Sequence, residues 1–225
     1  MDPIVALMFL GAHTRTLRLG TGIILLPQFE PLILAKQLAT LDVSLSGRLI
    51  FGVGVGWSEH EYEVLRIPYH DRGRRADDYL KAIKAVWTEE HPVYKGRFVS
   101  FDHLQAFPQP IQKPYPPIVI GDNSPGTFRR AAAIGNGWFG WGFDPREAEA
   151  AVTKLRDASK KFSRHSELGE LEISVVPKGQ IDKNSVEQFS RAGVDRVIAV
   201  APWGRGSAVV DEMIQSIGET LVGKV

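Results

Sequence analysis

The sequence predicts an α/β protein in which parallel strands are covered by helices. Short, almost continuously apolar segments alternate with longer amphipathic segments along most of the 225 residues. Strands of this kind are typical of parallel sheets that are buried on both faces. An opening helix followed by six strand-then-helix units accounts for the chain, and no segment repeats at a fixed period.

The composition is that of an ordinary globular protein, with 44% apolar and 24% charged residues. We expect one domain, residues 1–225. The formal net charge of +1 gives no electrostatic argument for a nucleic-acid or membrane-surface partner. The absence of cysteine excludes disulfides, Cys-ligated zinc and a thiol nucleophile, and it makes the cytoplasm the expected location.

The predicted elements follow the apolar pattern, with Asp2 as an N-cap and Pro3 at the first helical position of the opening helix. The predicted helices are residues 2–14, 31–45, 72–88, 124–134, 144–162, 182–192 and 207–221. The predicted strands are residues 17–25, 48–54, 117–121, 137–141, 171–176 and 195–201. Residues 90–116 contain five prolines and interrupt the alternation, which indicates an insertion. Both an open doubly wound sheet and a (β/α)8 barrel fit, and six units alone slightly favour the open sheet.

A glycine-rich segment, residues 52–56, ends the second predicted strand. It lacks the features of a dinucleotide fingerprint, because no acidic residue ends a strand about 20 residues later. We interpret it as a strand end where small residues let a flat ring lie against the backbone. His60 follows this strand end and is the one histidine that we expect to face a ligand, since the six histidines show no metal-ligand spacing and no metal site is predicted.

A second informative segment runs from a buried strand through Gly121, Asp122, Asn123 and Ser124 into a helix with Pro125 in its first turn. Backbone N–H groups at a helix start bind anions, and the hydroxyls of Ser124 and Thr127 would add donors. The alternative is that Asn123 or Ser124 simply caps the helix. Beyond it, Trp138 follows Gly137 at the start of a strand and is expected in the core.

Several phrases in order resemble the luciferase-like monooxygenase superfamily. They are residues 19–23, 31–42, 46–57, 72–79, 96–98 and 116–121. The phrase at residues 137–147 is similar to the coenzyme F420-dependent oxidoreductase branch. The resemblance implies a TIM-barrel type of fold, which reverses the preference for an open sheet. It also implies an incomplete barrel of about six parallel strands, lacking the first two, with the insertion around residues 90–116.

The resemblance implies a cofactor site as well. Thr21, Gly22 and Ile23 correspond to a strand-end bulge, often with a non-proline cis peptide, that backs the cofactor ring. Residues 54–60, including Gly54 and Trp57, correspond to the segment beside the ring. Residues 121–127 correspond to the phosphate-binding loop, with Gly137 and Trp138 near it. The implied cofactor is F420, with FMN as the alternative, and the implied chemistry is hydride transfer to or from a small organic substrate. His60 is the candidate catalytic proton donor.

Two alternatives stay open beside an F420-dependent oxidoreductase. One is an FMN-dependent monooxygenase, and the other is a catalytically silent truncated barrel that has kept or lost its cofactor. A barrel without two strands has apolar open edges at residues 17–25 and 195–201, and exposed edges favour pairing with another chain. We therefore expect a homodimer. An unrelated α/β enzyme with a phosphate-bearing ligand also remains possible from the residues alone.

Overall fold

The computed structural model describes residues 1–202 and 204–224, and the chain packs as two compact units. Unit 1 is Met1–Gly121 and unit 2 is Asp122–Val225. The helices are α1 (Pro3–His13), α2 (Pro31–Ser44), α3 (Glu59–Val64), α4 (Arg72–Thr88), α5 (Pro125–Ile134), α6 (Pro145–Lys161), α7 (Lys183–Arg191) and α8 (Ser207–Thr220). The strands are β1 (Leu19–Gly20), β2 (Ile24–Leu25), β3 (Leu49–Gly54), β4 (Tyr94–Lys95), β5 (Ser100–Phe101), β6 (Ile118–Gly121), β7 (Gly137–Phe143), β8 (Glu172–Pro177) and β9 (Arg196–Val197). The single domain predicted for residues 1–225 stays a prediction.

Unit 1 contains a parallel sheet centred on β3. Both β1 and β2 pair with β3 on one side, with Leu19 opposite Leu49 and Ile24 opposite Val53. On its other side β3 pairs with β6. The prediction of one continuous strand over residues 17–25 is therefore wrong, because residues 21–23 leave the ladder between two short strands.

The core of unit 1 lies between this sheet and helices α2 and α4. Leu38, Phe51 and Trp87 are almost completely buried. The Trp87 ring meets Phe51 edge-on, with 6.1 Å between the ring centroids, and its Nε1 donates to the carbonyl oxygen of Ala35 at 3.0 Å. Each such side chain stabilises the fold by about 1.5–3 kcal/mol through burial. The hydrogen bond to Ala35 offsets the cost of removing the indole N–H from water.

The predicted insertion contains the antiparallel hairpin β4–β5 and a long irregular stretch that is fixed to unit 1 by Gln112. The backbone N and the Nε2 of Gln112 donate to the two carboxylate oxygens of Asp42, at 3.0 and 2.7 Å. The same Nε2 donates to the carbonyl oxygen of Leu49 at 2.8 Å. Asp42 is 0% exposed, and the buried carboxylate receives its hydrogen bonds from Gln112 in the irregular stretch.

In unit 2, β8 lies between β7 and β9 and pairs with both in parallel. The apolar core of unit 2 contains Trp138 of β7, Leu155 of α6 and Val175 of β8. The predicted last strand, residues 195–201, is too long, because only Arg196 and Val197 are in the ladder. Arg196 is opposite Ser174 in that ladder and forms an ion pair with Glu172 at 2.6 Å.

The predicted N-cap of the opening helix is confirmed, and the start of α6 is capped by an aspartate in the same way. The Asp2 carboxylate accepts from the N–H of Val5, with Pro3 in the first turn. Asp144 forms a reciprocal capping box with Glu147 at the start of α6. Within the described residues, no helix combines the length and the apolar character needed to cross a membrane.

Candidate functional site

In unit 1, the glycines of β3 make room for the segment between β1 and β2. A Cβ atom on Gly52 would overlap the carbonyl oxygen of Thr21, and one on Gly54 would overlap the side chain of Ile23. The Thr21 hydroxyl also donates to the carbonyl oxygen of Gly52 at 2.6 Å. These glycines therefore admit the backbone bulge of residues 21–23, and the space above them is filled by that bulge.

The bulge has the form that the family resemblance implies. The Gly22–Ile23 peptide bond is cis. Gly22 is exposed and Ile23 is half-buried. Gly121, which ends β6, is at the same edge of the sheet, since its carbonyl oxygen is 3.5 Å from the Cβ position of Gly54. The structure thus brings Thr21, Gly22, Ile23, Gly54 and Gly121 together in unit 1.

Trp57 and His60 follow the carboxyl end of β3 and are open to solvent. Trp57 is 87% exposed. The His60 side chain is 82% exposed, and its Nδ1 is 3.5 Å from a carboxylate oxygen of Glu63. His60 is in the first turn of α3, whose N-terminus is capped by Ser58. Both side chains are therefore free to meet a ligand at the end of β3.

In unit 2, the predicted anion loop is built around the start of α5. Ser124 is the N-cap residue, as one of the two predicted capping residues, and its hydroxyl accepts from the N–H of Thr127 at 3.3 Å. Thr127 is 1% exposed, and its hydroxyl donates to a carboxylate oxygen of Asp122 at 3.2 Å. The Thr127 hydroxyl is therefore engaged within the loop, and a ligand would meet the backbone first.

Two exposed residues leave room beside this helix start. Asn123 and Gly126 are both exposed. A Cβ on Gly126 would meet only the Ser124 hydroxyl, at 3.9 Å. The space beside the first turn of α5 is thus open in the Cβ direction of Gly126, at the end of the helix where backbone N–H groups attract anions.

Trp138 supports the loop from inside unit 2. Its ring is fully buried, as expected, and lies 5.9 Å from Phe128 and 5.4 Å from Phe143 between ring centroids. Its Nε1 donates to the carbonyl oxygen of Asp122 at 2.9 Å, where Asp122 has a φ of 103°. Gly137 is buried and is paired with Glu172. Trp138 therefore acts on this loop through the Asp122 backbone.

Sequence reasoning missed three residues at the end of β3: Tyr62, Tyr69 and Arg72. Each donates to a backbone carbonyl of residues 55–57. No spacing rule would have found them, because a carbonyl acceptor leaves no trace in the identity of its own residue. Within residues 1–202 and 204–224, no cluster of three or more His, Cys, Asp or Glu side chains is arranged to hold a metal ion.

Unit 2 also has a groove of about 1040 Å³. It is lined by α6, by the segment that follows α6 and by the amino end of β8, including Leu155, Arg164 and Ile173. None of the predicted site residues lines it. The predicted site therefore depends on strand and helix ends and not on this groove.

Comparisons with known sequences match the chain to one family. The family model described as luciferase-like monooxygenase matches residues 1–187. An uncharacterized protein of Mycobacterium tuberculosis, Rv0953c, is 36% identical over 206 residues, which are 90% of this chain and 70% of that protein. The FMNH(2)-dependent dimethylsulfone monooxygenase of Pseudomonas putida is 31% identical over 176 residues, which are 77% of this chain and 47% of the enzyme.

Among solved structures, the coenzyme F420-dependent tetrahydromethanopterin reductase from Methanopyrus kandleri is similar, with a TM-score of 0.82. The match covers 99% of this chain and 87% of the reductase at 17% sequence identity, so it bears on the fold alone. It confirms the predicted α/β fold of the luciferase-like, TIM-barrel type. The family match, which spans most of the sequence, confirms the resemblance read from the residues: the chain belongs to the luciferase-like monooxygenase family.

Proposed function

We propose that this protein is an oxidoreductase that transfers a hydride between a deazaflavin or flavin cofactor and a small organic substrate. The observation that carries the proposal is the arrangement at the strand ends of unit 1. There, the bulge of residues 21–23, the end of β6 at Gly121 and the exposed Trp57 all follow carboxyl ends of parallel strands. Sites in folds of this type form at the carboxyl ends of the strands.

In unit 1 the residues present fit a planar cofactor ring, and in unit 2 the start of α5 fits a phosphate. When bound, such a cofactor supplies the atom that accepts or donates the hydride. The bulge of residues 21–23 offers a backbone surface braced by β3. The Trp57 indole offers an exposed aromatic face in unit 1, and the N–H of Gly126 in the first turn of α5 offers a donor to a phosphate in unit 2.

F420 is the first cofactor that we propose, and FMN is the second. The similar fold of a reductase that is named as F420-dependent supports F420. The 31% identity to a monooxygenase that is named as FMNH(2)-dependent supports FMN. The test is a titration of the purified chain with each compound, in which binding is measured as quenching of the cofactor fluorescence.

Binding of one compound in the micromolar range, about −8 kcal/mol, is the expected result. Failure of both to bind at about 1 mM, a threshold near −4 kcal/mol, would refute the proposal. Binding without reduction or oxidation in the presence of candidate substrates would favour the catalytically silent barrel instead.

The phosphate part of the proposal rests on Gly126. In Gly126→Asp, a carboxylate in the first turn suits the helix dipole, so the fold should persist. The same charge repels a phosphate, and one unit of charge at about 4 Å in water weakens binding by roughly five-fold. Gly126→Asn is the matched neutral control. Equal affinities of the two variants would remove residues 121–127 from the proposed site.

We propose His60 as the proton donor. Its exposed ring follows the end of β3, with Nδ1 3.5 Å from a carboxylate oxygen of Glu63, and imidazole is the side chain that most often serves as a general acid. His60→Gln should lower turnover by about 10²-fold or more while cofactor affinity changes little. His165→Gln is the control, because His165 is also exposed beside a glutamate, with 3.7 Å between His165 Nδ1 and Glu167. A similar loss of turnover in both variants would speak against a specific role for His60.

We also propose that the protein works as a homodimer in the cytoplasm. In support of a dimer, α1 exposes Val5, Phe9 and Leu10, and exposed apolar groups on one helix favour association. Sedimentation of the purified protein tests this proposal. A monomer at micromolar concentration would refute it.

A further inference from the structure

Three consecutive carbonyl groups at the end of β3 are each bound by a different side chain. The Tyr62 hydroxyl donates to the carbonyl oxygen of Val55 at 2.5 Å. The Nε of Arg72 donates to that of Gly56 at 3.3 Å, and the Tyr69 hydroxyl donates to that of Trp57 at 2.9 Å. We call Tyr62, Tyr69 and Arg72 the carbonyl clamp. Beyond the end of β3, these side chains replace the hydrogen bonds of a neighbouring strand. The carbonyl oxygens of residues 55–57 therefore all keep a hydrogen-bond donor.

The members of the carbonyl clamp also hold one another. The rings of Tyr62 and Tyr69 meet edge-on, with 5.4 Å between centroids and 73° between planes. The guanidinium carbon of Arg72 is 3.7 Å from the centroid of the Tyr69 ring, and its Nη1 donates to the Tyr69 carbonyl oxygen at 3.1 Å. Loss of one member would therefore loosen the others.

The buried member keeps its proton at neutral pH. Tyr62 is 0% exposed, and burial raises its pKa to about 12. The phenol thus remains a hydrogen-bond donor to Val55.

The path of the chain within the clamp is restricted as well. Gly56 has a φ of +70°, which side-chain-bearing residues rarely adopt. A Cβ there would lie 3.2 Å from a terminal methyl carbon of Leu25 and 3.6 Å from the Tyr62 ring. The φ of Gly56 and the close packing around it therefore restrict the direction of the backbone at Trp57.

The backbone of residues 55–57 is held by several hydrogen bonds, whereas the Trp57 side chain is exposed. Trp57 is 87% exposed, although an indole has much to gain from burial. A large apolar ring on a fixed backbone is preorganised for binding, because little conformational entropy of the segment is lost when a ligand binds.

We propose that Tyr62, Tyr69 and Arg72 are positioning residues that fix the backbone at Trp57, so that its indole is held at one place for contact with a planar conjugated ring of the ligand. The choice of ligand ring rests on the proposed function. The fixation itself is a property of the ligand-free chain and can be measured without any cofactor.

The chain contains no cysteine, so Trp57→Cys creates a unique thiol for a nitroxide spin label. Adding Tyr69→Phe removes only the hydroxyl that binds the Trp57 carbonyl and leaves both ring contacts of Tyr69 possible. We expect sharper electron paramagnetic resonance lines, indicating faster local motion, with a melting temperature lowered by no more than about 2–4 °C, the scale of one hydrogen bond. Tyr94→Phe in the same background is the matched control, since the Tyr94 hydroxyl bonds Asp78 in the hairpin region. Identical line shapes for the Tyr69→Phe chain and its parent would overturn the positioning role.

A second arm connects the clamp to the ligand, with Trp57 restored. Tyr69→Phe should weaken binding of F420 or FMN by roughly five-fold, the scale of one hydrogen bond, while Tyr94→Phe leaves affinity unchanged. Arg72→Lys keeps a charge but loses the planar group over Tyr69, and it should weaken binding in the same direction. If the label loosens but affinity stays constant, the assignment of the Trp57 face to the ligand ring is wrong. If the parent chain binds neither compound, the proposed function fails, and the spin label still decides whether the clamp positions Trp57.

Discussion

Replacing Arg164 should destabilise unit 2 more than any ordinary surface arginine. Its Nη1 donates to the carbonyl oxygens of Ala131, Ala132 and Gly135, at 3.2, 3.1 and 2.8 Å, which are at the carboxyl end of α5. Its Nε and Nη2 donate to two carbonyl oxygens of the segment that follows α6, those of Gly169 and Leu168. One side chain thus ties the end of a helix to a loop more than 30 residues later.

The size of the effect follows from these contacts. A hydrogen bond to a charged group is worth about 1.5–3 kcal/mol, and a cation at a helix carboxyl end adds up to about 2 kcal/mol. The full sum does not apply, because Arg164 is only half-buried and water can replace part of the group. Burial lowers the pKa of its guanidinium, the direction expected when a charge loses water. We therefore expect Arg164→Met to lower the free energy of unfolding by about 2–4 kcal/mol.

Urea unfolding and amide hydrogen exchange would measure this effect. Arg164→Lys keeps the charge at the end of α5 but cannot reach both sets of carbonyls, so it should lose roughly half as much. Exchange should accelerate first in the last turn of α5 (Pro125–Ile134). Arg146→Met, at an exposed position in the first turn of α6, is the control and should change stability by less than about 0.5 kcal/mol. Equal losses in the Arg164 and Arg146 variants would refute the reasoning.

Three further outcomes are expected in unit 1. Asp42→Ala leaves the backbone N–H of Gln112 without its acceptor and leaves its Nε2 bonded only to the Leu49 carbonyl oxygen. It should cost about 2–4 kcal/mol in urea unfolding and open residues 102–116 to protease, and an intact protease pattern would contradict this. Burial alone raises the pKa of Asp78, but hydrogen bonds from Tyr94 and backbone amides outweigh it and leave the pKa below its usual value. Because the folded-state pKa is lowered, the ionised Asp78 carboxylate stabilises the fold above about pH 4, and this contribution is lost as the pH falls further. The free energy of unfolding of Asp78→Asn should therefore fall less in acid than that of the parent chain. Parallel curves of unfolding free energy against pH for the two chains would exclude the assignment. Gly56→Ala should cost about 1–2 kcal/mol because of the φ of +70°, and a neutral result by thermal unfolding would count against that strain.

The helix starts could be predicted well because their determinants are local. Asp2 and Asp144 each bind the N–H three residues ahead, so the side chain and its target are read in one short stretch of sequence. The strands were harder, because a ladder depends on distant partners. Residues 17–25 have the composition of one strand, yet residues 21–23 leave the ladder where β3 offers glycine in place of a side chain. The apolar pattern of residues 17–25 does not mark that change; the resemblance of residues 19–23 to the family does.

The glycines at the end of β3 show how a correct sequence signal can have two structural meanings. The sequence pattern at Gly52 and Gly54 predicts a surface against which a ring lies, and the structure places the bulge of residues 21–23 in that space. Both interpretations require small residues for the same physical reason, the close approach of another group to a backbone. Only the resemblance to a family distinguished them, because it implied a bulge at Gly22 and Ile23.

The carbonyl clamp lies beyond any such signal. Its donors, Tyr62, Tyr69 and Arg72, are between 7 and 16 residues from the carbonyl groups that they bind. Since every residue carries a carbonyl group, the acceptors impose no constraint on the identity of Val55 or Trp57. Substitutions at the donors should therefore be felt at Trp57, whereas substitutions at Val55 that preserve its burial should leave the clamp intact. A scan of single substitutions across residues 55–72 would reveal this asymmetry, and a scan in which Val55 is as sensitive to conservative change as Tyr69 would argue that packing, and not hydrogen bonding, holds the segment.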